Sequence, residues 1–300
     1  MNDHIVSRGW QQNIAEGHEL AVLDVVTGNV VAESRPIKSN FAELDYMTYT
    51  DTEGNAVRDV DEAFTKIERK VLNKVREITV SNCSTDHRDA VAELFGIHIV
   101  RSRAMRASKL RLLAEHGHEI AADLESNVEV QEKFLAVLGR PPHPGEILQM
   151  ARDWEQNQIG TNEYFVENLP HFQRVIRDML AKYHLQVVEA APTLPGFVIG
   201  DVPVVHALLG SQRFGFRDRL AIGDSDYVAA PISRRIAVLF TVDRLPHRVI
   251  RTKKLMSQFN VMSVLAADRE VACHPDDVMP LKRLWRSRDR YRSFGPLTSR

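Results

Sequence analysis

Three hundred residues, 44% hydrophobic and 26% charged, suffice for one large domain or two modest lobes with a core that needs no staples. A net charge of −1 argues against a dedicated nucleic-acid binder, and no apolar run approaches the ~20 residues that span a bilayer. Residues 1–8 have neither a basic start nor an apolar stretch, so Cys83 and Cys273 read as reduced thiols and the compartment as cytoplasm.

In chain order, apolar runs at 19–25 and 29–33 flank Val26-Thr27-Gly28, a hairpin signal. Residues 35–49 read as a loop anchored by Phe41, Tyr46 and Tyr49, and 51–55 as a turn. Val60, Phe64, Ile67, Val71 and Val75 recur at spacings of three and four, which predicts an amphipathic helix over 59–78. Ser84-Thr85-Asp86 is an N-cap for one long helix running to about residue 115 and ending at His116-Gly117-His118. A helix at about 131–138 precedes a Pro- and Gly-rich break at 139–145. Helices at about 145–156 and 163–182 follow. Beyond His184 the pattern turns to strands at 185–189, 197–199 and 235–242, with a Gly- and charge-rich insertion at 209–226. Helices return at 249–268 and 280–288. The expected fold is α+β. An N-terminal β-hairpin and a mostly helical middle (1–183) join a smaller mixed α/β part with a short sheet (184–300), all within one integrated domain.

Basic residues bunch twice. Arg101, Arg103, Arg106, Lys109 and Arg111 share one helix; Lys282, Arg283, Arg286, Arg288, Arg290 and Arg292 form a C-terminal tail with Trp285 and Tyr291 interleaved. Arginines among aromatics can track a phosphate backbone, so nucleic acid is a candidate partner through either cluster. A solvated helix face paired with nearby carboxylates explains the same pattern.

Four short segments carry a family resemblance. His4-Ile5-Val6-Ser7-Arg8-Gly9-Trp10 is similar to an H-Y-[VI]-P opening, with Ser7 in place of Pro. His98-Ile99-Val100-Arg101-Ser102-Arg103 is similar to a Q-x-x-R-T-P helix, with His98 at the Gln and Arg103 at the Pro. Phe197-Val198-Ile199-Gly200-Asp201-Val202-Pro203-Val204 fits F-[IV]-T-S-D-x-P-V most closely, and Pro231-Ile232-Ser233-Arg234 follows P-L-S-P without its final Pro. Asn260 falls where the family often carries an Asn on a late helix. In order and spacing the chain resembles the "domain of unknown function 4238" family over essentially its whole length. The resemblance implies positions and leaves the chemistry open. It makes Arg103, Ser233 and Asn260 candidate substrate-binding residues.

Asp201 ends an apolar strand-like run, where a carboxylate can ligate Mg²⁺ or act as a general base; an Asp before Val-Pro is equally a turn-former. Asp224 and Asp226 can join it around one metal ion or belong to a solvated loop. His4 suits a general base or ligand, and Arg101, on an otherwise apolar helix, suits a phosphate grip or a partner for a core carboxylate. Arg177 with His184, the His116 to His118 run and the Cys273 to Asp277 run are better explained by helix ends and turns. There is no P-loop, dinucleotide fingerprint or nucleophile elbow, which disfavours ordinary NTPases, Rossmann oxidoreductases and α/β-hydrolases. The expectation is a bacterial cytoplasmic, metal-assisted phosphodiesterase or nuclease: Asp201 with Asp224 or Asp226 holds the metal, Arg101 grips phosphate and His4 moves the proton. The competing expectation is a non-catalytic binding or regulatory module in which Asp201, Arg101 and His4 form a structural network. Burial separates the two.

Overall fold

The computed structural model describes residues 2–291 apart from 18, 52, 148, 151–161 and 209–212. The chain opens with β1 (Asn2–His4), which pairs antiparallel with β4 (Ala42–Leu44), and with α1 (Arg8–Ala15), which buries Trp10 and Ile14. β2 (Glu19–Asp24) and β3 (Val30–Pro36) form the expected hairpin. Asp24 Oδ1 accepts the N–H groups of Val26 and Thr27 at 2.8 and 2.7 Å. Gly28 takes φ +73°, and a Cβ there would meet the Trp285 ring at 2.2 Å. β5 (Tyr49–Thr50) and β6 (Ala56–Val57) bracket the 51–55 turn, where Asp51 accepts the N–H of Glu53 and of Asn55.

The helical middle starts with α2 (Asp59–Arg76), acidic in its first turn and basic in its last, which complements the helix dipole. α3 (Thr85–Val100) begins with a capping box between Ser84 and His87. From Ala90 to Val100 every residue except Glu93 is buried, so α3 is a central helix, apolar on all sides. The single long helix expected from 84 to about 115 is two. Ser102 leaves helical geometry (ψ 141°) and accepts the Met105 N–H, restarting the chain as α4 (Arg103–Ser126). Because α4 continues to Ser126, His116-Gly117-His118 lies inside it and does not end it. α5 (Val128–Leu138) follows, capped by Asn127 and stopped by Gly139 in the left-handed region. Most of the helix expected over 145–156 lies outside the described residues. The 163–182 helix is α6 (Asn162–Leu180).

The C-terminal part supplies β7 (His184–Ala190), β8 (Ile199–Gly200), β9 (Val205–Ala207), β10 (Tyr227–Pro231), β11 (Ile236–Thr241), β12 (Arg248–Ile250), α7 (Lys253–Ala266), β13 (Glu270–Cys273) and α8 (Val278–Ser287). Residues 248–250 belong to a strand, so the helix expected from 249 starts at 253. A five-stranded sheet runs β12-β7-β11-β10-β9, antiparallel except for β12 on β7. Both of its faces are covered. Ile236, Val238 and Phe240 of β11 join the core formed with Trp10 and Phe95, whereas Ala237 and Leu239 pack towards Phe259 and Met262 of α7. A second sheet, β3-β2-β13-β8, joins the N-terminal hairpin to strands from the C-terminal part. The fold is α+β. Cys83 and Cys273 are both free. Among the described residues no helix is long and apolar enough to cross a membrane.

Candidate functional site

The segments that carry the family resemblance meet in space. Trp10 Nε1 donates to Pro231 O at 2.7 Å, and its ring lies edge-on to His98 with centroids 4.6 Å apart. His98 Nδ1 stands 3.0 Å from Ile5 O; a carbonyl only accepts, so that nitrogen carries the proton. Arg103 reaches Asp201 at 3.2 Å, and Phe197 N–H donates to Arg234 O at 2.8 Å. Each segment therefore touches another, but the polar side chains divide between two places.

The first is an open cleft of about 630 Å³ between the β1–α1 connection and one face of α2. His4 and Arg8 line it from the N-terminal side, Asp61, Glu68, Arg69 and Arg76 from α2, and Arg101 from the α3–α4 junction. Arg101 is buried and fixed: its guanidinium contacts Glu68 Oε1 at 2.6 Å and Asp61 Oδ1 at 3.0 Å, and sits over the Phe64 ring at 5.2 Å. Burial alone would push the Glu68 carboxyl up; Arg101 and His98, whose Nε2 is 3.3 Å away, outweigh it and hold the carboxyl below its usual range. Asp61 keeps a raised pKa because burial outweighs the help from Arg101 and Arg58. Asp3, fully enclosed, pairs with Arg58 and accepts the Met47 N–H at 2.8 Å. All three carboxylates of the cleft are thus already engaged by arginine.

The other arginines are not so engaged. Arg8 and Arg69 are exposed at the mouth and make no ion pair among the described residues. Among the described residues Arg76 meets only amide oxygens, Asn13 Oδ1 at 2.8 Å and Asn73 Oδ1 at 3.4 Å. The lining holds five arginines against three carboxylates, an excess of positive charge. His4 stands half-buried at the edge with Nε2 3.2 Å from Lys38 O, so Nε2 donates and Nδ1 is the basic atom. Burial, then the charge of Arg8, lower the imidazole pKa, with Lys38 O and Asp61 opposing.

The second place is closed. Asp201 is 3% exposed and does not line the cleft. Its Oδ1 accepts the Asp268 N–H at 2.8 Å, and its Oδ2 accepts the Arg269 N–H at 2.9 Å and one Arg103 nitrogen. Burial nevertheless pushes the carboxyl up to about 6. Arg103, the other candidate here, is shared between Asp201 and Glu43. The carboxylate at the strand end thus pins the turn between α7 and β13, as the turn-former reading describes.

The remaining candidates are dispersed. Asp224 lies on an exposed short turn and Asp226 on the residue before β10. Among the described residues no group of three or more His, Cys, Asp or Glu side chains is arranged to hold a metal ion, so Asp201, Asp224 and Asp226 do not form the expected Mg²⁺ site. Ser233 Oγ accepts the N–H groups of Arg235 and Ile236 and shapes the β10–β11 turn. Asn260 clamps residues 196–198, accepting from Val198 N–H and donating to Gly196 O.

The Arg-rich stretch of α4 is turned inward. Arg106 donates to Asn162 and stacks over Phe165, while Arg111 donates to Phe216 O. In the tail, Trp285 donates to Val25 O and Arg288 covers its ring at 4.0 Å, leaving Arg283, Arg286 and Arg290 exposed; Arg292 lies outside the described residues.

A family model described as a protein of unknown function, DUF4238, matches residues 4–277. The chain belongs to this family. The match starts at His4 and stops before α8, so it includes every residue of the cleft except Asp3 and omits the basic tail. No curated protein and no solved structure matches the chain.

Arg8, Arg69 and Arg76 were not legible as site residues. For Arg69 and Arg76 the signal was a second stripe on α2: positions 61, 65, 69, 72 and 76 repeat at helical spacing beside the apolar stripe that dominates the pattern.

Proposed function

We propose that the His4–Arg101 cleft of this DUF4238 protein binds a phosphodiester of nucleotide size and hydrolyses it in the cytoplasm. The observation that carries the proposal is the surplus of arginine in the cleft, above all Arg8 and Arg69, which make no ion pair among the described residues. A phosphate supplies the missing anion, and guanidinium groups suit its oxygens better than any other side chain. A volume of about 630 Å³ falls in the range of small-molecule sites rather than of polymer tracks.

In this reading His4 Nδ1 takes a proton from the attacking water, the P–O bond to one ester oxygen breaks, and the departing alkoxide takes its proton from solvent, while Lys38 O fixes the His4 tautomer through Nε2. Arg8, Arg69 and Arg76 oppose the charge that grows on the phosphoryl oxygens, a preorganised role that Arg101 supports by holding the floor of the cleft. The lowered His4 pKa keeps the base unprotonated to lower pH than a free imidazole. Metal has no evident seat in the cleft, since Asp3, Asp61 and Glu68 are each neutralised by arginine. The proposal therefore runs through histidine and arginine instead of Mg²⁺.

The test is turnover of bis(p-nitrophenyl) phosphate and of a linear dinucleotide in EDTA at neutral pH. Hydrolysis is expected, with kcat reduced on the order of 10²-fold or more in His4→Gln and an acid limb below the usual histidine range. Absence of turnover with every phosphodiester tried, or a His4→Gln variant as fast as the parent, removes the catalytic reading. The non-catalytic alternative draws on one observation, the full burial and pairing of Arg101 and Asp201. It predicts dinucleotide binding with no cleavage.

A further inference from the structure

Lys109, in the first half of α4, is a buried cation left without an acceptor. Its Nζ is out of water and has no hydrogen-bond partner among the described residues. Tyr164 and Phe172 of α6 flank it, with ring centroids 4.3 and 4.2 Å away. Ring faces attract an ammonium, but they do not replace the acceptors its three N–H bonds lose on burial. Desolvation pulls Lys109 down to about 8, so at neutral pH it still carries its charge in most molecules. A buried polar group in this state calls for a partner that the described residues do not supply.

Beside it lies a cavity of about 490 Å³ between α4, Phe172 and the turn at 216–221. Met105, Leu112, Phe216 and Leu220 give it an apolar body. Arg111 stands at its rim with one Nη donating to Phe216 O at 2.8 Å, and it makes no ion pair among the described residues. Arg219, also at the rim, is already matched by Glu115 at 2.8 Å. The chamber thus combines an apolar body with two cations, Lys109 and Arg111, that have no carboxylate partner among the described residues. No residue lines both this chamber and the His4–Arg101 cleft, so the two sites stand or fall separately.

We infer that this chamber is a binding site for an amphipathic monocarboxylate. The apolar tail lies along Met105, Leu112, Phe216 and Leu220, and the carboxylate accepts hydrogen bonds from the free edge of Arg111 and from Lys109 Nζ, which reaches the chamber by rotation of its flexible stem out of the Tyr164–Phe172 pair. Such a ligand gives the buried ammonium the acceptor it lacks and removes exposed apolar wall from water in the same step. A phosphate or nucleotide does only the first, because the chamber walls offer its hydroxyl and ring groups few partners. The volume accommodates a chain of about eight carbons within the range of small-ligand sites.

Calorimetric titration with octanoate and with 1-octanol separates the two halves of the claim. The full chain is expected to bind octanoate at one saturable site and 1-octanol more weakly. Lys109→Met, which keeps the apolar stem, lowers octanoate affinity at least about tenfold and leaves 1-octanol unchanged; Arg111→Gln, at the rim, has a smaller effect in the same direction. Leu112→Trp, which fills the chamber from a largely exposed position (53%), weakens both ligands. Octanoate that fails to saturate, or that binds wild type no better than 1-octanol, overturns the inference. So does octanoate affinity equal to wild type in either cation variant that circular dichroism shows to be folded.

Discussion

The cleft beside α2 and the junction around Asp201 are built from the same residue types and serve opposite ends. At the junction one carboxylate meets two backbone N–H groups and one arginine, and little of its acceptor capacity is left for a ligand. At the cleft the carboxylates are likewise engaged, but the arginines outnumber them and two at the mouth make no ion pair among the described residues. Both regions lie under segments that the family resemblance singles out. A motif residue is therefore no guide to chemistry until its partners are counted: a satisfied, buried Asp stabilises the fold, and an unsatisfied, accessible Arg can bind.

The sharpest way to break this contrast is at the floor of the cleft. Arg101→Met leaves Glu68 buried without its main partner, so a loss of about 3–5 kcal/mol in urea unfolding is expected. A loss below ~1 kcal/mol would mean that Arg101 is held for binding and not for structure.

A buried titratable group on the closed side gives the next largest effect. His206 is 2% exposed, with Nε2 donating to Leu220 O at 3.0 Å, and burial lowers its pKa to about 4. The unfolded chain, with an ordinary histidine, takes up a proton first as pH falls through about 6.5. Stability from this group is therefore complete above about 6.5 and is lost progressively as pH falls towards 4, on the order of 3 kcal/mol in all. His206→Gln is expected to flatten that slope in unfolding curves measured from pH 7 to pH 4; an unchanged slope contradicts the assignment.

Asp201→Ala strands the Asp268 and Arg269 N–H groups and costs about 2 kcal/mol, read from the urea midpoint. The molecules that remain folded should bind ligand in the cleft as the parent does, because Asp201 does not line it. The smallest stability effect belongs to the open side. Arg8→Gln and Arg69→Gln remove no ion pair among the described residues and should change unfolding by no more than ~0.5 kcal/mol each.

Much of the fold was legible because local chemistry and period agree. Asp24 with Gly28 and Asp51 with Gly54 announce their turns, and α2 and α6 show their apolar stripes. β9 and β10 were hidden for a physical reason. Both faces of their sheet are covered, so Tyr227 to Pro231 is buried at every position and offers no alternation to read. The α3–α4 break was hidden too, because helix-compatible residues run straight through it and only Ser102 signals a restart. His4 and Arg101 were legible through their segments, and the structure does place both on one cleft. Asp201 was legible as a position, whereas its role depended on the N–H groups of Asp268 and Arg269, nearly seventy residues away in sequence. No local pattern carries that pairing.

The contrast is tested most directly by titrating the linear dinucleotide pApA into three forms of the protein at one low salt concentration. The account predicts that Arg8→Gln/Arg69→Gln binds at least about tenfold more weakly than wild type, a loss of roughly 1.4 kcal/mol, while Asp201→Asn binds as wild type does. Equal affinity in the double variant and wild type, or loss of binding in a folded Asp201→Asn, would contradict it.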